Sequence, residues 1–213
     1  MNTACKRHHR ARLVGSKGTA LSKRISTLLI GFVAAMALFA STALPASAAT
    51  PRSQNGWTVI TKSTSAKLAT YKVPGTKHGL LLRKGDAGVL LVDFANWYNK
   101  HVEKLSLYKA GDDYGWSYRK IRGSSTTYSN HASGTAIDLN ATRHPLGTTA
   151  AHSFTKKQIA AIHKRLKRYS GVIRWGGDYT KRKDPMHFEI NKGVKATHKV
   201  YRRLFPCHAP VGC

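Results

Sequence analysis

Two short stretches in the second half of the chain carry side chains that can bind a metal and move a proton. The first is Ser129-Asn130-His131-Ala132-Ser133-Gly134-Thr135-Ala136-Ile137-Asp138, and the second is Asp184-Pro185-Met186-His187-Phe188-Glu189. Two imidazoles and one carboxylate, from His131, His187 and Asp138, form a complete protein ligand set for a catalytic zinc whose fourth position is left to water. Asp184, three residues before the second histidine, is placed to act as a general base. The chemistry these residue types point to is metal-assisted hydrolysis. Taken singly, His131 reads as a loop histidine and Asp138 as a turn acid. Jointly they read differently. The chain has nine Asp and Glu in all, and two of them lie near histidines in apolar, strand-like settings where an unpaired charge is costly and a cation would compensate it. No Gly-x-Ser-x-Gly stretch is present, so a serine nucleophile has no setting.

His131 and Asp138 stand seven residues apart, too far for one helical face; the spacing suits a loop that turns at Gly134 and returns as a strand. Thr135 to Leu139 and Met186 to Ile190 both alternate, which puts each ligand candidate on one strand face and Ile137 or Phe188 on the other. Val172 to Trp175 reads as a third strand, with shorter ones at Trp57 to Ile60 and Leu105 to Tyr108. Val89, Leu90, Val92, Phe94, Trp97, Tyr98 and Val102 recur at helical spacing behind Asp86, a plausible N-cap. A second helix is expected from about Lys156 to Tyr169, opened by a Thr155/Gln158 capping box and buried along Ile159, Ile162 and Leu166. Its other face, with Lys164, Arg165, Lys167 and Arg168, reads as solvated or as a contact for polyanions. Residues 49–56 read as a flexible lead-in, and Thr61 to Gly79 as a polar stretch with a turn at Val73-Pro74-Gly75. Separated strands with two flanking helices predict a small single α+β domain with a mainly antiparallel sheet.

Residues 1–48 have the order of a secretory signal peptide: basic residues from Lys6 to Arg24, an apolar run from Leu28 to Leu44, then Ala46-Ser47-Ala48 as a cleavage signature before Ala49. An uncleaved membrane anchor is the alternative, since Ile25 to Leu44 has about the length a bilayer needs. Loss of the seven basic residues of that leader takes Lys plus Arg from 36 to 29 against nine acids, a formal charge of +20. An exported protein so basic is drawn to polyanions: wall polymers, anionic lipid or nucleic acid. Cys5 departs with the leader. The remaining pair, Cys207 and Cys213, is expected to close a small disulfide loop that pins the tail and adds about 2–3 kcal/mol.

The two motif stretches, with Trp175-Gly176-Gly177-Asp178 and, upstream, Tyr118-Arg119-Lys120-Ile121-Arg122-Gly123, resemble the VanY-like D,D-carboxypeptidase and L-alanyl-D-glutamate endopeptidase family of zinc peptidases over about residues 80 to 190. The resemblance implies a Hedgehog/D,D-peptidase-like catalytic core at 80–191, set between an N-terminal segment at 49–79 and a basic tail at 192–213. It implies one Zn²⁺ per chain on His131, Asp138 and His187, with Asp184 in the base position where some relatives use Glu. Arg119 would face the substrate carbonyl or carboxylate, with Arg122 as the rival for that role, and Ser129 would help seat the peptide. Trp175, Asp178 and Glu189 match the pattern as structural residues, Glu189 being also a candidate to orient a histidine ligand. The implied reaction is one-step hydrolysis by metal-activated water. Asp184 would take the water's proton and hand it to the leaving amine, while Arg119 and the metal stabilise the oxyanion. The implied substrate is a peptide bond in the stem peptide of peptidoglycan, cut by a monomeric, wall-associated enzyme. Which bond is cut stays open. So do two other classes: an inactive zinc-containing module that binds wall or protein, and a secreted nuclease, suggested by the +20 charge and eleven histidines. Two imidazoles favour zinc over the Mg²⁺ that such nucleases want.

Overall fold

The chain builds two antiparallel sheets and packs helices against them; the computed structural model describes residues 49–105 and 111–206. The first sheet is a hairpin of β1 (Leu68–Lys72) and β2 (Gly79–Arg83), paired from Leu68↔Arg83 to Lys72↔Gly79. The sequence reading had left this region as polar coil. Its hydrophobic content is thin because β1 buries one side only, so the alternation that marks β2 (Leu80 and Leu82 inward) has a weak partner. The expected turn is present, closed by the Thr76 amide donating to the Val73 carbonyl at 3.1 Å.

Helix α1 (Asp86–His101) follows and buries Leu90, Leu91, Phe94 and Tyr98. Its N-cap is Gly85, not the expected Asp86. The aspartate is the first helical residue, makes no cap hydrogen bond, and instead pairs with His198 at 2.8 Å. The second sheet has the order β3 (Ala136–Asp138), β5 (His187–Ile190), β4 (Ile173–Trp175), all antiparallel. Between β3 and β4 lie the short α2 (Ala150–Ser153) and α3 (Lys156–Lys167). The capping box at Thr155 and Gln158 is formed, and the Gln158 amide also reaches the Val102 carbonyl at the end of α1. The basic face of α3 is less uniform than expected: Arg165 turns in to Asp93 of α1 at 2.7 Å, while Lys164, Lys167 and Arg168 are exposed. The expected polar tail contains a further helix, α4 (Val194–Leu204), which packs on α1 through Val200 and Tyr201.

The core between the helices and the second sheet is aromatic. Phe188 of β5 meets Phe94 of α1 at 4.5 Å between ring centroids and stacks on Trp175 of β4 at 5.9 Å. Such pairs add about 0.5–1.5 kcal/mol each beyond their area. They fix the face of β5 that points away from the chemistry.

Two expectations are corrected. Trp57 to Ile60 is not a strand but a buried segment with one isolated bridge, Arg52↔Thr58. Residues 49–56 are not a loose lead-in. Ser53 is buried and bridges to Tyr128, and the Asn55 amide donates to the Thr135 hydroxyl and the Ile190 carbonyl, both at 2.8 Å. Polar side chains make these ties, so hydrophobic patterning could not announce them. The expected strand at Leu105 to Tyr108 and the cysteine pair lie largely or wholly outside the described residues, as does the leader.

Candidate metal centre and catalytic cleft

Sheet register brings the two halves of the motif together. Asp138 of β3 is paired with His187 of β5, and Ile137 with Phe188. Alternation then puts Asp138, His187 and Glu189 on one face, with Ile137 and Phe188 toward the core. His131 comes from a one-turn 3₁₀ helix, Asn130–Ser133, that the Ser129 hydroxyl caps by accepting from the His131 amide at 3.3 Å. The turn ends at Gly134, left-handed at φ 69°, ψ 25°. A Cβ there would stand 2.6 Å from the Arg83 amide nitrogen of β2, so both the conformation and the close approach demand glycine. The loop-turn-strand geometry inferred from the spacing of seven is the one found.

Three donor atoms converge. His187 Nδ1 lies 2.7 Å from Asp138 Oδ1, His131 Nε2 lies 3.2 Å from the same oxygen, and the two imidazole nitrogens are 3.1 Å apart. This is the only grouping of three or more His, Cys, Asp or Glu that could hold a metal among the described residues. The opposite edge of each ring is engaged elsewhere. His131 Nδ1 meets the Gly115 carbonyl, and His187 Nε2 meets Glu189 Oε2 at 3.0 Å. An outer partner of this kind fixes tautomer and ring orientation and leaves the inner nitrogen for the ion. The donor set therefore fits a metal.

The charges agree. Burial alone would lower the His187 pKa, yet hydrogen bonds from Asp138 and Glu189 outweigh it and push it up to about 10. Burial raises Asp138 and Glu189, but the facing imidazoles outweigh that too, and both are held well below the usual carboxylate range. Two buried carboxylates around one imidazole thus call for a cation at its inner nitrogen, either a proton or a metal. Glu189 is also held by Asn130 Nδ2, by Arg174 Nε at 2.5 Å and by the Tyr179 hydroxyl at 2.5 Å.

Asp184 sits differently. Its Oδ1 is buried with no hydrogen-bond partner, and burial pushes its pKa up to about 6. It is placed by backbone contacts: its amide donates to the Gly176 carbonyl at 2.9 Å, and its carbonyl accepts from the His187 amide at 3.0 Å. A side chain at Gly176 would collide with the Asp184 backbone. The Trp175 indole, fully buried, donates to the Pro185 carbonyl at 2.7 Å. Trp175 and Gly176 thus hold the Asp184 loop in place, which accounts for the structural reading of that motif. Asp178 is exposed and pairs with His163 at 2.9 Å, away from the ligand set.

A cleft of about 320 Å³ opens over this group, walled by Tyr114, Arg119, Arg122, Ser129, Asp184 and His187 among others. Arg119 and Arg122 both line it; burial raises the pKa of Asp184 and of Tyr114, and the Arg119 charge opposes that rise at both. The Arg122 carbonyl instead accepts from Arg182 at 2.7 Å. Ser129 reaches the cleft wall with its hydroxyl already used as the turn cap. Tyr114 is a site residue the sequence reading missed. Its phenol, raised to about 12 by burial and by Asp138, lies between Asp138 and Arg119. Residues 112–121 carry it there without forming a strand: Tyr114 bridges Asp138, and the Trp116 amide donates to the Leu81 carbonyl. The Tyr114-Gly115-Trp116 aromatic pair next to a glycine was the one available signal.

An α+β domain with convergent His, Asp and His donors and a desolvated, unpartnered carboxylate in one cleft has the parts of a metal-dependent hydrolase. Residues 122–190 match the family model of D-alanyl-D-alanine carboxypeptidase, the group of peptidases that the sequence resembles. His131, Asp138, Asp184 and His187 fall inside that segment, and Arg119 falls just before it. No curated protein and no solved structure matches the chain.

Proposed function

We propose that the protein is an exported zinc peptidase that hydrolyses a peptide bond in the stem peptide of peptidoglycan. The observation that carries this is the convergence of His131 Nε2, Asp138 Oδ1 and His187 Nδ1 beside the unpartnered Asp184 Oδ1, within the segment that matches a peptidase family. Zinc held by the three donors would supply Lewis acidity and lower the pKa of the attacking water. Asp184 Oδ1 accepts that proton and delivers it to the leaving amine. Arg119, across the cleft, faces the substrate carbonyl and its developing negative charge. Glu189 and the Gly115 carbonyl hold the two imidazoles in register.

The cleft has a neighbouring space on two sides. Tyr179 also lines a larger groove, and Leu146 and Met186 also line a second recess of about 330 Å³. A substrate chain can extend both ways, which favours cleavage of an internal bond over removal of a terminal residue. The leader carries the chain out of the cell, the Cys207–Cys213 pair forms a disulfide there, and the exposed Lys156, Lys157 and Lys164 of α3 hold the enzyme to anionic wall polymers. Purified protein lacking residues 1–48, with zinc quantified by elemental analysis, is incubated with soluble peptidoglycan fragments and the products weighed by mass spectrometry. Peptide-bond products that vanish on chelation support the reading. Intact fragments with one zinc bound per chain refute it.

A further inference from the structure

Beside the cleft that holds the metal donors lies a second, larger space among the described residues. It is a groove of about 810 Å³, floored by the buried Trp175 and Ile173 and by Leu166 and Tyr179. That volume lies in the range of ligand-holding pockets. Gln54, Tyr179, Lys181 and Arg182 line both spaces, so the groove adjoins the catalytic cleft. Its rim is basic: Lys167, Arg174, Lys181 and Arg182, against one acid, Asp178. Of these, Arg174 is committed to Glu189, Arg182 to the Arg122 carbonyl, and Asp178 to His163. Lys167 and Lys181 are exposed, and their ammonium groups make no ion pair or hydrogen bond among the described residues. Two uncommitted ammonium groups over an apolar floor fit a ligand that is a chain with an anionic group on it.

We propose that this groove is a subsite for a carboxylate-bearing arm of the peptide substrate, with Lys167 and Lys181 as the groups that select the charge. The proposal rests on the peptidase reading of the cleft, because four residues line both the groove and the cleft and bring an arm of the substrate within its reach. A peptide carboxylate fits better than a separate phosphate polymer for the same reason: a polymer seated here would crowd the residues that also line the cleft.

The test uses end-blocked hexapeptides of matched sequence carrying Glu or Gln at each position in turn. Binding is measured by calorimetry to zinc-loaded Asp184→Asn protein, and kcat/KM is measured with the unsubstituted enzyme. Glu should be favoured over Gln by roughly 3–20-fold, the worth of two exposed ion pairs, at positions on one side of the scissile bond only. Salt should erode that preference. Lys167→Ala/Lys181→Ala should bring the ratio within about two-fold, and Lys167→Glu/Lys181→Glu should invert it, whereas Lys195→Ala/Lys199→Ala on α4 should leave the ratio as it was. Equal binding of Glu and Gln at every position overturns the proposal, as does a preference that survives the double substitution. Competition at the two lysines by a polyol phosphate polymer without any peptide discrimination overturns it as well. Selective binding without any turnover would leave the groove assignment standing and remove the peptidase reading.

Discussion

Replacing Glu189 by Gln separates orientation of the metal donors from donation itself. Glu189 is buried and accepts four hydrogen bonds, two on each oxygen. Oε2 takes Asn130 and His187, and Oε1 takes Arg174 and Tyr179. An amide keeps one acceptor oxygen and turns the other into a donor. Whichever way it flips, an NH₂ must face two donors, and the Arg174 guanidinium, 37 % exposed, loses its counter-charge. A fully buried charged pair broken in this way would cost about 3–5 kcal/mol; solvent at the Arg174 side brings the loss below that range. Loss of the carboxylate behind His187 weakens metal binding by roughly 10–100-fold, the usual range for a partner of this kind. Expected, then, is a lower Tm and a zinc Kd raised by that factor, measured by chelator competition, with kcat restored in part at saturating zinc. Activity and zinc affinity equal to wild type would show that Glu189 orients nothing.

Other outcomes follow from the same geometry. Asp184→Asn should retain zinc and fold while kcat falls by roughly 10²–10⁴, the range for a general acid–base group; full activity with zinc bound refutes the assignment of the base. Arg119→Ala should lower kcat/KM by about 3 kcal/mol of transition-state stabilisation and Arg122→Ala should change it little, and steady-state kinetics that reverse this order would move the substrate arginine to position 122. Glu103 tests the fold away from the cleft. Burial raises its pKa, but His144 at 2.8 Å, Asn140 and Arg143 outweigh that and hold it below its ordinary value. Its stabilisation is therefore present above about pH 4.3 and is lost as the pH falls through the folded-state value. Glu103→Gln should lower Tm at pH 7, with the gap to wild type closing toward pH 3; a gap independent of pH would contradict the ion-pair account.

What the sequence made legible was whatever rests on local pattern. Alternation placed His187 and Glu189 on one strand face and Phe188 on the other, and the glycine at 134 marked the turn that returns His131 to Asp138. The capping box and the helical spacing gave α3 and α1 to within a few residues. What escaped rests on distant polar contacts or on half-buried surfaces. Asn55 reaches β5 across 135 residues through one amide, and no composition rule distinguishes it from a loop asparagine. The hairpin β1–β2 buries too little to show an alternating stripe, and α4 hides its Val200 and Tyr201 among basic residues that read as tail. Tyr114 comes to the cleft on an irregular segment held by the edge of β3, so its place follows from tertiary packing alone.

The separation of roles among the acids has a physical cause that also escaped the sequence. Asp184 and Glu189 lie five residues apart, in a chain with few acids, and their surroundings push them in opposite directions. Glu189 is wrapped by four donors and stays ionised far into acid. Asp184 has a buried oxygen without a donor, and burial raises it to about 6. Neighbouring carboxylates whose environments split their proton affinities are the arrangement by which one site houses both a fixed charge and a proton carrier. The imidazoles of His131 and His187 and the guanidinium of Arg119 already pull Asp184 downward against that burial. A divalent cation among the three donors adds to the same pull, since a nearby positive charge favours the ionised carboxylate. In the proposed mechanism Asp184 then enters the reaction as a carboxylate at neutral pH, with an acceptor oxygen that no protein donor occupies. Glu189, saturated with donors, has no lone pair left to offer. The acceptor of the proton is therefore decided by which acid the fold leaves unsatisfied.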